Sequence, residues 1–218
     1  MYSGPVSRRR LLRTGVGAAA SAALGGCQML DNLSDRNNQI RKFMARANEL
    51  TFAAQRGLLD RNALAAEFSP ADVRQPHRPN GVINPPDEEY LVHAANNFAD
   101  YRLQVSGMVY NPLSLSLDDL RAMPTRHQIT RHDCVEGWSC IAEWTGVPLS
   151  VILEIAGVRT GARYVLFRCF DTIERSLSGP VRYYETIDLV DARHPQTILA
   201  WAMNSAPLTI PNGAPLRV

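Results

Sequence analysis

The 218-residue sequence lacks the features that mark several specialised classes of protein. Its four cysteines are too few for a small domain held together by disulfides. Lysine is almost absent, Lys42 being the only one, and we attribute this to coding bias. With 45% hydrophobic and 20% charged residues, the chain has the composition of a globular protein that buries a core. This composition excludes a disordered chain, a collagen-like chain and a membrane protein with many spans.

Negative charge is missing from the first 26 residues, which contain four arginines and no acidic residue. The rest of the chain carries 19 basic and 21 acidic residues, so its net charge is near −2. A body with this balance has no general nucleic-acid-binding surface, and we expect no nucleic-acid partner.

The first segment has the pattern of an export signal. Residues 7–13 contain the twin arginines Arg8 and Arg9, and an apolar run of about 13 residues follows, which is too short to cross a bilayer. The sequence therefore predicts a twin-arginine signal over residues 1–26. Leu24-Gly25-Gly26-Cys27 also resembles a lipobox, which predicts a lipid anchor at Cys27; the alternative is cleavage nearby, with Cys27 incidental. We expect a protein that is periplasmic, or anchored on the outer side of the membrane.

A helical segment is predicted over residues 27–70. Its apolar residues recur at helical spacing and form one stripe: Ile40, Phe43, Met44, Ala47 and Leu50. Gly57 is a predicted break, and a second short helix is expected over residues 62–68, ending before Ser69-Pro70. We expect the stripe to pack on the chain's own domain, with a partner-binding face as the alternative.

A domain of mixed strands and short helices is predicted over residues 71–218. A proline-rich connector over residues 70–87 leads into it. Strands are expected at residues 101–105, 127–134, 163–170 and 198–203, and helices are expected after Ser116 and at residues 148–156. Because strands and helices do not alternate regularly, the fold class is α+β rather than a doubly wound sheet.

The densest cluster of reactive residue types lies at residues 131–140, and four interpretations are open. A zinc site would use His132, Cys134 and Cys140, with Cys169 as a further ligand, although their spacing is unusual. Cys134 could instead be a nucleophilic thiol, or a disulfide could join Cys140 to Cys134 or Cys169. In the fourth interpretation Cys134 is a thiolate ligand for a transition metal held in an organic cofactor.

Several motifs in order resemble the sulfite oxidase family of molybdopterin-dependent oxidoreductases, which includes the exported methionine sulfoxide reductase catalytic subunits. The resemblance covers residues 75–217. The motifs that carry it are Arg131-His132-Asp133-Cys134-Val135-Glu136-Gly137-Trp138-Ser139, Trp144-Thr145-Gly146-Val147-Pro148-Leu149, Tyr164-Val165-Leu166-Phe167, Tyr183-Tyr184-Glu185-Thr186-Ile187, His194-Pro195-Gln196-Thr197-Ile198-Leu199-Ala200 and Asn212-Gly213-Ala214-Pro215-Leu216-Arg217.

The resemblance implies a sulfite oxidase-like domain with mixed, β-rich sheets and a molybdenum–molybdopterin cofactor. Cys134 matches the thiolate that ligates molybdenum in the family. Asn212 and Arg217 match cofactor-contacting positions, and Asn80 is an expected contact upstream. Cys169 stands where exported reductases of the family carry a threonine contact, so its thiol can replace that contact only weakly.

The function implied by the resemblance is two-electron oxygen-atom transfer on a small substrate such as a sulfoxide or sulfite. We also expect a redox partner, such as a membrane haem protein or cytochrome, and a monomer, because the family's dimerisation domain is absent. Family members continue beyond the position of Arg217, whereas this chain ends at Val218. The comparison predicts that the domain is incomplete at its C-terminus and binds the cofactor poorly. The alternative function is a non-catalytic exported lipoprotein, or a remnant, that keeps the fold without the cofactor.

Overall fold

The computed structural model describes residues 35–218 apart from positions 36, 59, 61, 62, 177 and 178. The predicted signal and Cys27 lie outside the described residues. The chain divides into two units, one running to Asp60 and the other from Arg61. Within the described part of the chain, no helix is long and apolar enough to cross a membrane.

The first unit contains one helix, α1, over Gln39–Leu58. Asn38 caps it, since its side-chain oxygen accepts hydrogen bonds from the main-chain N–H groups of Ile40 and Arg41 at 2.8 and 3.4 Å. The helix ends one residue after Gly57, in agreement with the predicted break. No residue of α1 is buried.

The second helix predicted over residues 62–68 is wrong. Residues 63–68 are not helical, and Glu67 forms a β-bridge with Thr130. The Gln196 side chain donates to the carbonyl of Ala65 at 3.0 Å and accepts from its N–H at 2.7 Å. These bonds to the rest of the unit occupy main-chain groups that a helix would need.

The second unit alternates short helices with antiparallel strands, which confirms the α+β prediction. Its elements are α2 (Glu88–Ala95), β1 (Arg102–Val105), β2 (Leu113–Ser116), α3 (Leu117–Arg121), β3 (Arg126–Cys134), β4 (Trp138–Pro148), α4 (Leu149–Ala156), β5 (Tyr164–Ser176), β6 (Gly179–Asp188), α5 (Leu189–Ala192), β7 (Ile198–Met203) and β8 (Ala206–Pro207). The strands pair as one four-stranded sheet in the order β3-β4-β7-β8 and as two hairpins, β1-β2 and β5-β6.

The four-stranded sheet depends on a close approach between β4 and β7. Gly146 on β4 pairs with Ala200 on β7, next to a break in register between Thr145 and Gly146. A β-carbon at Gly146 would lie only 2.6 Å from the Cα of Ala200, so no larger residue fits without displacing a strand.

The main core forms where α4 packs on the sheet. Leu149, Ile152 and Leu153 are buried there together with Val147 of β4 and Leu199 of β7. The helix ends as predicted, because Gly157 adopts φ = 66° and its N–H bonds back to two carbonyls of the last turn. The core therefore fixes β4 and β7, the two strands beside the site described below.

The short helix α3 begins with the predicted capping box. The Ser116 hydroxyl accepts from the Asp119 N–H at 3.0 Å, while the Asp119 carboxylate accepts from the Ser116 N–H at 2.8 Å. The hydrogen bonds from Ser116 hold the pKa of Asp119 below its usual value. The pairing fixes the turn from β2 into α3.

Candidate active site

Cys134 lies at the end of β3, where the strand turns into β4. It pairs with Trp138, and the Gly137 N–H donates to the Cys134 carbonyl at 2.9 Å. Gly137 has φ = 84°, a conformation that favours glycine in this tight turn. Because side chains alternate along strands, His132, Trp138 and Trp144 share the face of Cys134. The Cys134 side chain is half-buried on this face.

Arg217 joins residues that are far apart in the sequence. Its guanidinium donates to the Asn80 side-chain oxygen at 3.0 Å and to the Asn212 carbonyl at 3.3 Å. It also lies over the Trp144 ring, 5.3 Å from the centroid. Its main chain forms a β-bridge with Ala200, which places Arg217 beside strand β7. The structure thus brings together three of the residues predicted to bind the cofactor.

Burial lowers the pKa of Arg217 from its ordinary value, although the side chain remains a cation at neutral pH. Electrostatic interactions with Asp171 and Cys134 act in the opposite direction and raise this pKa. Arg217 therefore supplies a half-buried positive charge in the neighbourhood of the Cys134 sulfur.

Asn212 is buried in a turn that presents its side-chain amide to the site. The side-chain oxygen of Asn212 accepts from the Thr209 hydroxyl at 2.8 Å, whereas the side-chain nitrogen has no hydrogen-bond partner. The next residue, Gly213, has φ = 94°, and a β-carbon there would contact the Arg217 side chain at 3.4 Å. The turn thus leaves a buried N–H₂ donor free beside Arg217.

His77 is a residue of the site that the sequence analysis missed. The residue is 6% exposed, and neither ring nitrogen makes a hydrogen bond of standard geometry, although the main chain of Arg78 lies close enough to favour the protonated ring. The ring packs edge-on against His132, Trp138 and Trp144, with centroid distances of 5.8, 5.9 and 5.5 Å. A lone histidine in a proline-rich connector carried no sequence signal for this position, because only the fold brings the connector against β3 and β4.

The two histidines are kept neutral by their surroundings. Burial lowers the pKa of His77, and the positive charge of Arg217 lowers it further. The same two causes, in the same order, lower the pKa of His132. Both rings therefore have one donor nitrogen and one acceptor nitrogen at neutral pH.

Cys169 lies on β5, apart from the contacts that join Asn80, Asn212 and Arg217. Burial, followed by the negative charges of Asp171 and Glu185, raises the pKa of its thiol. Burial also raises the pKa of the nearby Tyr101 to about 12. Cys169 is therefore a neutral, half-buried thiol. Asp171, two residues on, provides the electrostatic link between this strand and Arg217.

The disulfide and zinc interpretations of the cysteine cluster gain no support from the described residues. Cys134, Cys140 and Cys169 are all free thiols. Cys140 is buried and pairs with His132 rather than with Cys134. Over the described residues, no three His, Cys, Asp or Glu side chains are grouped in a way that could hold a metal ion, which disfavours a zinc site.

The interpretation of an anionic cofactor with a metal fits the donors that are present. Unpaired buried polar groups are costly, so a concentration of them in one place indicates a ligand that is meant to pair them. Among the described residues, His77, His93, Asn96 and Asn212 carry such atoms. His77 and Asn212 both lie beside the pair formed by Trp144 and Arg217. Arg217 adds a charge and hydrogen-bond donors suited to a phosphate, and Cys134 adds a soft sulfur.

Comparisons with known proteins bear on the family of the chain. The family model described as "Oxidoreductase molybdopterin binding domain" matches residues 91–218. A chain of Azospira oryzae that bears the name protein-methionine-sulfoxide reductase subunit YedZ1 is 34% identical over 212 residues, which cover 97% of this chain and 73% of that one.

Two relatives are named protein-methionine-sulfoxide reductase catalytic subunit MsrP. The one from Xanthomonas campestris is 38% identical over 54% of this chain and 38% of its own length. The one from Campylobacter jejuni is 32% identical over 61% of this chain and 48% of its own length. The chain therefore spans less than half of either MsrP relative.

Among solved structures, sulfane dehydrogenase SoxCD of Paracoccus pantotrophus matches 55% of this chain and 33% of its own, with 24% identity and a TM-score of 0.45. The family match, together with the Azospira relative, confirms the resemblance seen in the motifs. The protein is an enzyme whose cofactor is molybdenum–molybdopterin, and the chain belongs to the family of oxidoreductases with a molybdopterin-binding domain.

Proposed function

We propose that the protein catalyses two-electron oxygen-atom transfer on a small oxo-substrate such as a sulfoxide or sulfite. The proposal rests on the Arg217 cation, which interacts electrostatically with Cys134, together with the unpaired buried atoms of His77 and Asn212. The names of the relatives as methionine-sulfoxide reductase subunits support a sulfoxide as substrate.

Cys134 is the proposed catalytic residue and the protein ligand of molybdenum. A thiolate is a soft donor, and its place at the end of β3 leaves it half-buried and open to one side. Asn80, Asn212 and Arg217 are proposed to hold the pterin and its phosphate. Their mutual hydrogen bonds, at 3.0 and 3.3 Å, keep the guanidinium in one orientation before the cofactor binds.

Cys169 is the weakest member of the proposed cofactor-binding set. Because its thiol is neutral and hydrogen-bonds poorly, we propose that it contributes through its main-chain groups.

When bound, the cofactor supplies a metal that changes its oxidation state by two electrons as an oxygen atom is gained or lost. The chain's own residues bind and shield it. The rings of His77, His132, Trp138 and Trp144 pack together, and the three on β3 and β4 share the face of Cys134; we propose that they limit the access of water to it. The Arg217 charge offsets the negative charge that a thiolate and a phosphate bring into the site.

We further propose the organisation that the sequence suggests, with a twin-arginine signal over residues 1–26, a helical segment over 27–70 and the cofactor domain over 71–218. The protein would work outside the cytoplasmic membrane, with a lipid anchor at Cys27. The relatives' names include the words "catalytic subunit", which favours a second subunit. We propose that this partner is a membrane haem protein that exchanges electrons with the cofactor.

The test compares Cys134→Ser with Cys140→Ser in protein purified from a host that makes the cofactor. Both are single sulfur-to-oxygen changes on the same face of the β3-β4 hairpin. We expect Cys134→Ser to lower sulfoxide-dependent oxidation of a reduced viologen dye by at least about 100-fold, because an alkoxide is a poorer donor for this metal. Cys140→Ser should stay within about threefold of the unchanged protein.

The molybdenum content of each protein gives a second measurement. Equal losses of activity in the two variants would contradict the ligand assignment and favour a role for both thiols together. An unchanged protein that carries no molybdenum would instead support the non-catalytic lipoprotein.

A further inference from the structure

Helix α1 has two faces of opposite character. Most of its large apolar side chains lie along one face, with Ala47 and Ala54: Ile40, Phe43, Met44, Leu50 and Leu58; Phe52, 48% exposed, lies on the other side. The largest of them are open to solvent, since Phe43 is 72%, Leu50 74% and Leu58 87% exposed. Isolated exposed apolar residues are ordinary on a protein surface, but a continuous stripe of them indicates a surface that something covers.

The opposite face of α1 is basic. Arg41, Lys42, Arg46 and Arg56 lie beside or opposite the apolar stripe, and Glu49 is the only acidic residue of the helix. The helix therefore carries a net charge of about +3 at neutral pH. Long basic side chains next to an apolar stripe can lie along an apolar surface while their charges reach its polar boundary.

We propose that α1 binds the surface of an anionic lipid bilayer and lies in the plane of that surface. A 20-residue helix is about 30 Å long, and its apolar stripe would enter the boundary between headgroups and acyl chains. The basic face would then meet the lipid phosphates. The helix does not qualify as a membrane span, so the interface is the part of a bilayer that suits it.

A second copy of the chain is a less suitable partner for this face. The seam of a coiled coil along α1 would use Ile40, Met44 and Leu58, together with Ala47, Thr51 and Ala54, so half of its positions are too small to pack well. Phe43 and Leu50 would lie outside that seam, although after Leu58 they are the most exposed large side chains of the stripe. Two helices of charge +3 would also repel each other, whereas an anionic surface attracts both.

The first measurement is co-sedimentation of the full chain with phosphatidylglycerol vesicles and with phosphatidylcholine vesicles. We expect binding to the anionic vesicles to be at least about tenfold stronger and to weaken as salt is added. Phe43→Asp should weaken it by at least about tenfold more than Asn48→Asp. Asn48 is an exposed residue on the polar side of α1, so the two variants make the same change of charge on opposite faces.

The second measurement is local, because residues 1–26 contain an apolar run that could itself bind lipid. Hydrogen–deuterium exchange should slow in a peptide covering residues 39–58 when anionic vesicles are added to the unchanged chain, and this protection should be lost in Phe43→Asp. Equal vesicle binding by the two variants, with unchanged exchange over residues 39–58, would overturn the proposal. So would vesicle-independent self-association that Phe43→Asp abolishes, because it would identify a second copy as the partner. The cofactor takes no part in either measurement.

Discussion

Replacing His77 by phenylalanine should stabilise the protein without its cofactor while weakening the cofactor site. His77 is 6% exposed and packs against three rings at 5.5–5.9 Å, a space that a phenylalanine ring also fits. The substitution removes two buried nitrogens that have no partner within the protein. The protein without its cofactor bears the cost of burying them, and we expect the bound cofactor to offer them a partner.

The expected gain follows from the cost of an unsatisfied buried polar group. That cost is about 1–3 kcal/mol, so His77→Phe should raise the free energy of unfolding at neutral pH by a similar amount. We expect the opposite effect on the holoenzyme, with less molybdenum retained per chain, because phenylalanine offers neither a donor nor an acceptor.

The pH dependence provides an independent check of this reasoning. The pKa of His77 in the folded chain is lowered from its ordinary value of 6.5, so below about pH 6.5 the unfolded chain binds more protons than the folded one. The unchanged protein should therefore lose stability as the pH falls through this range, by at most about 1.4 kcal/mol per pH unit from this one group. His77→Phe should lose stability less steeply.

Urea unfolding of cofactor-free protein at pH 7.5, 6.5 and 5.5 measures both effects. His127→Phe is the control, because His127 is an exposed histidine on β3 whose Nδ1 is already paired with the Thr145 hydroxyl. If His77→Phe is less stable than the unchanged protein by more than about 1 kcal/mol, or if the slope with pH is the same in both, then the His77 nitrogens are satisfied in the folded chain and the argument fails.

Two further substitutions test the sheet and the guanidinium. Gly146→Ala should lower the free energy of unfolding by about 2 kcal/mol or more, because the new methyl group would lie 2.6 Å from the Cα of Ala200. Urea unfolding measures this loss. A loss below about 0.5 kcal/mol would show that the strands move apart at little cost. Arg217→Lys should reduce the molybdenum content several-fold, because lysine keeps the charge but not the planar group that reaches Asn80. The control is Arg159→Lys, since Arg159, which follows α4, donates to the Val109 carbonyl. Equal metal content in the two variants would argue against this role of Arg217.

The sequence predicts the elements whose signals are local. The capping box at Ser116, the glycine stop at Gly157, β7 over Ile198–Met203 and most of β3 are found where they are expected. Each depends on hydrogen bonds or side-chain alternation within a few residues, and neighbouring elements do not change the outcome.

Helix α2 and strands β4 and β6 are found in the structure but were not predicted. In β4 the alternation of Trp138, Cys140, Ala142 and Trp144 is a strand signal that was available. The extended course of residues 63–68 is different in kind, because it depends on Gln196, more than 120 residues away. Tertiary hydrogen bonds overrode the local preference there.

The candidate site also contains residues that sequence motifs suggested and one that only tertiary packing reveals. Motifs in order suggested Asn80, Cys134, Asn212 and Arg217, and the structure brings three of them into direct contact. His77 could not be predicted, because its importance comes from packing against rings on β3 and β4 that follow it by more than 50 residues.

The hydrogen bond between Arg217 and Asn80 spans 137 positions of the chain, and the Arg217 main chain pairs with Ala200 on β7. Contacts over such separations close late in folding, because the intervening chain must first be ordered. A cofactor site assembled from them cannot act as a template on which the chain begins to fold. Its completion instead reports that folding has finished, so amide exchange at Ala200 should distinguish chains that are ready to accept the cofactor from chains that are not.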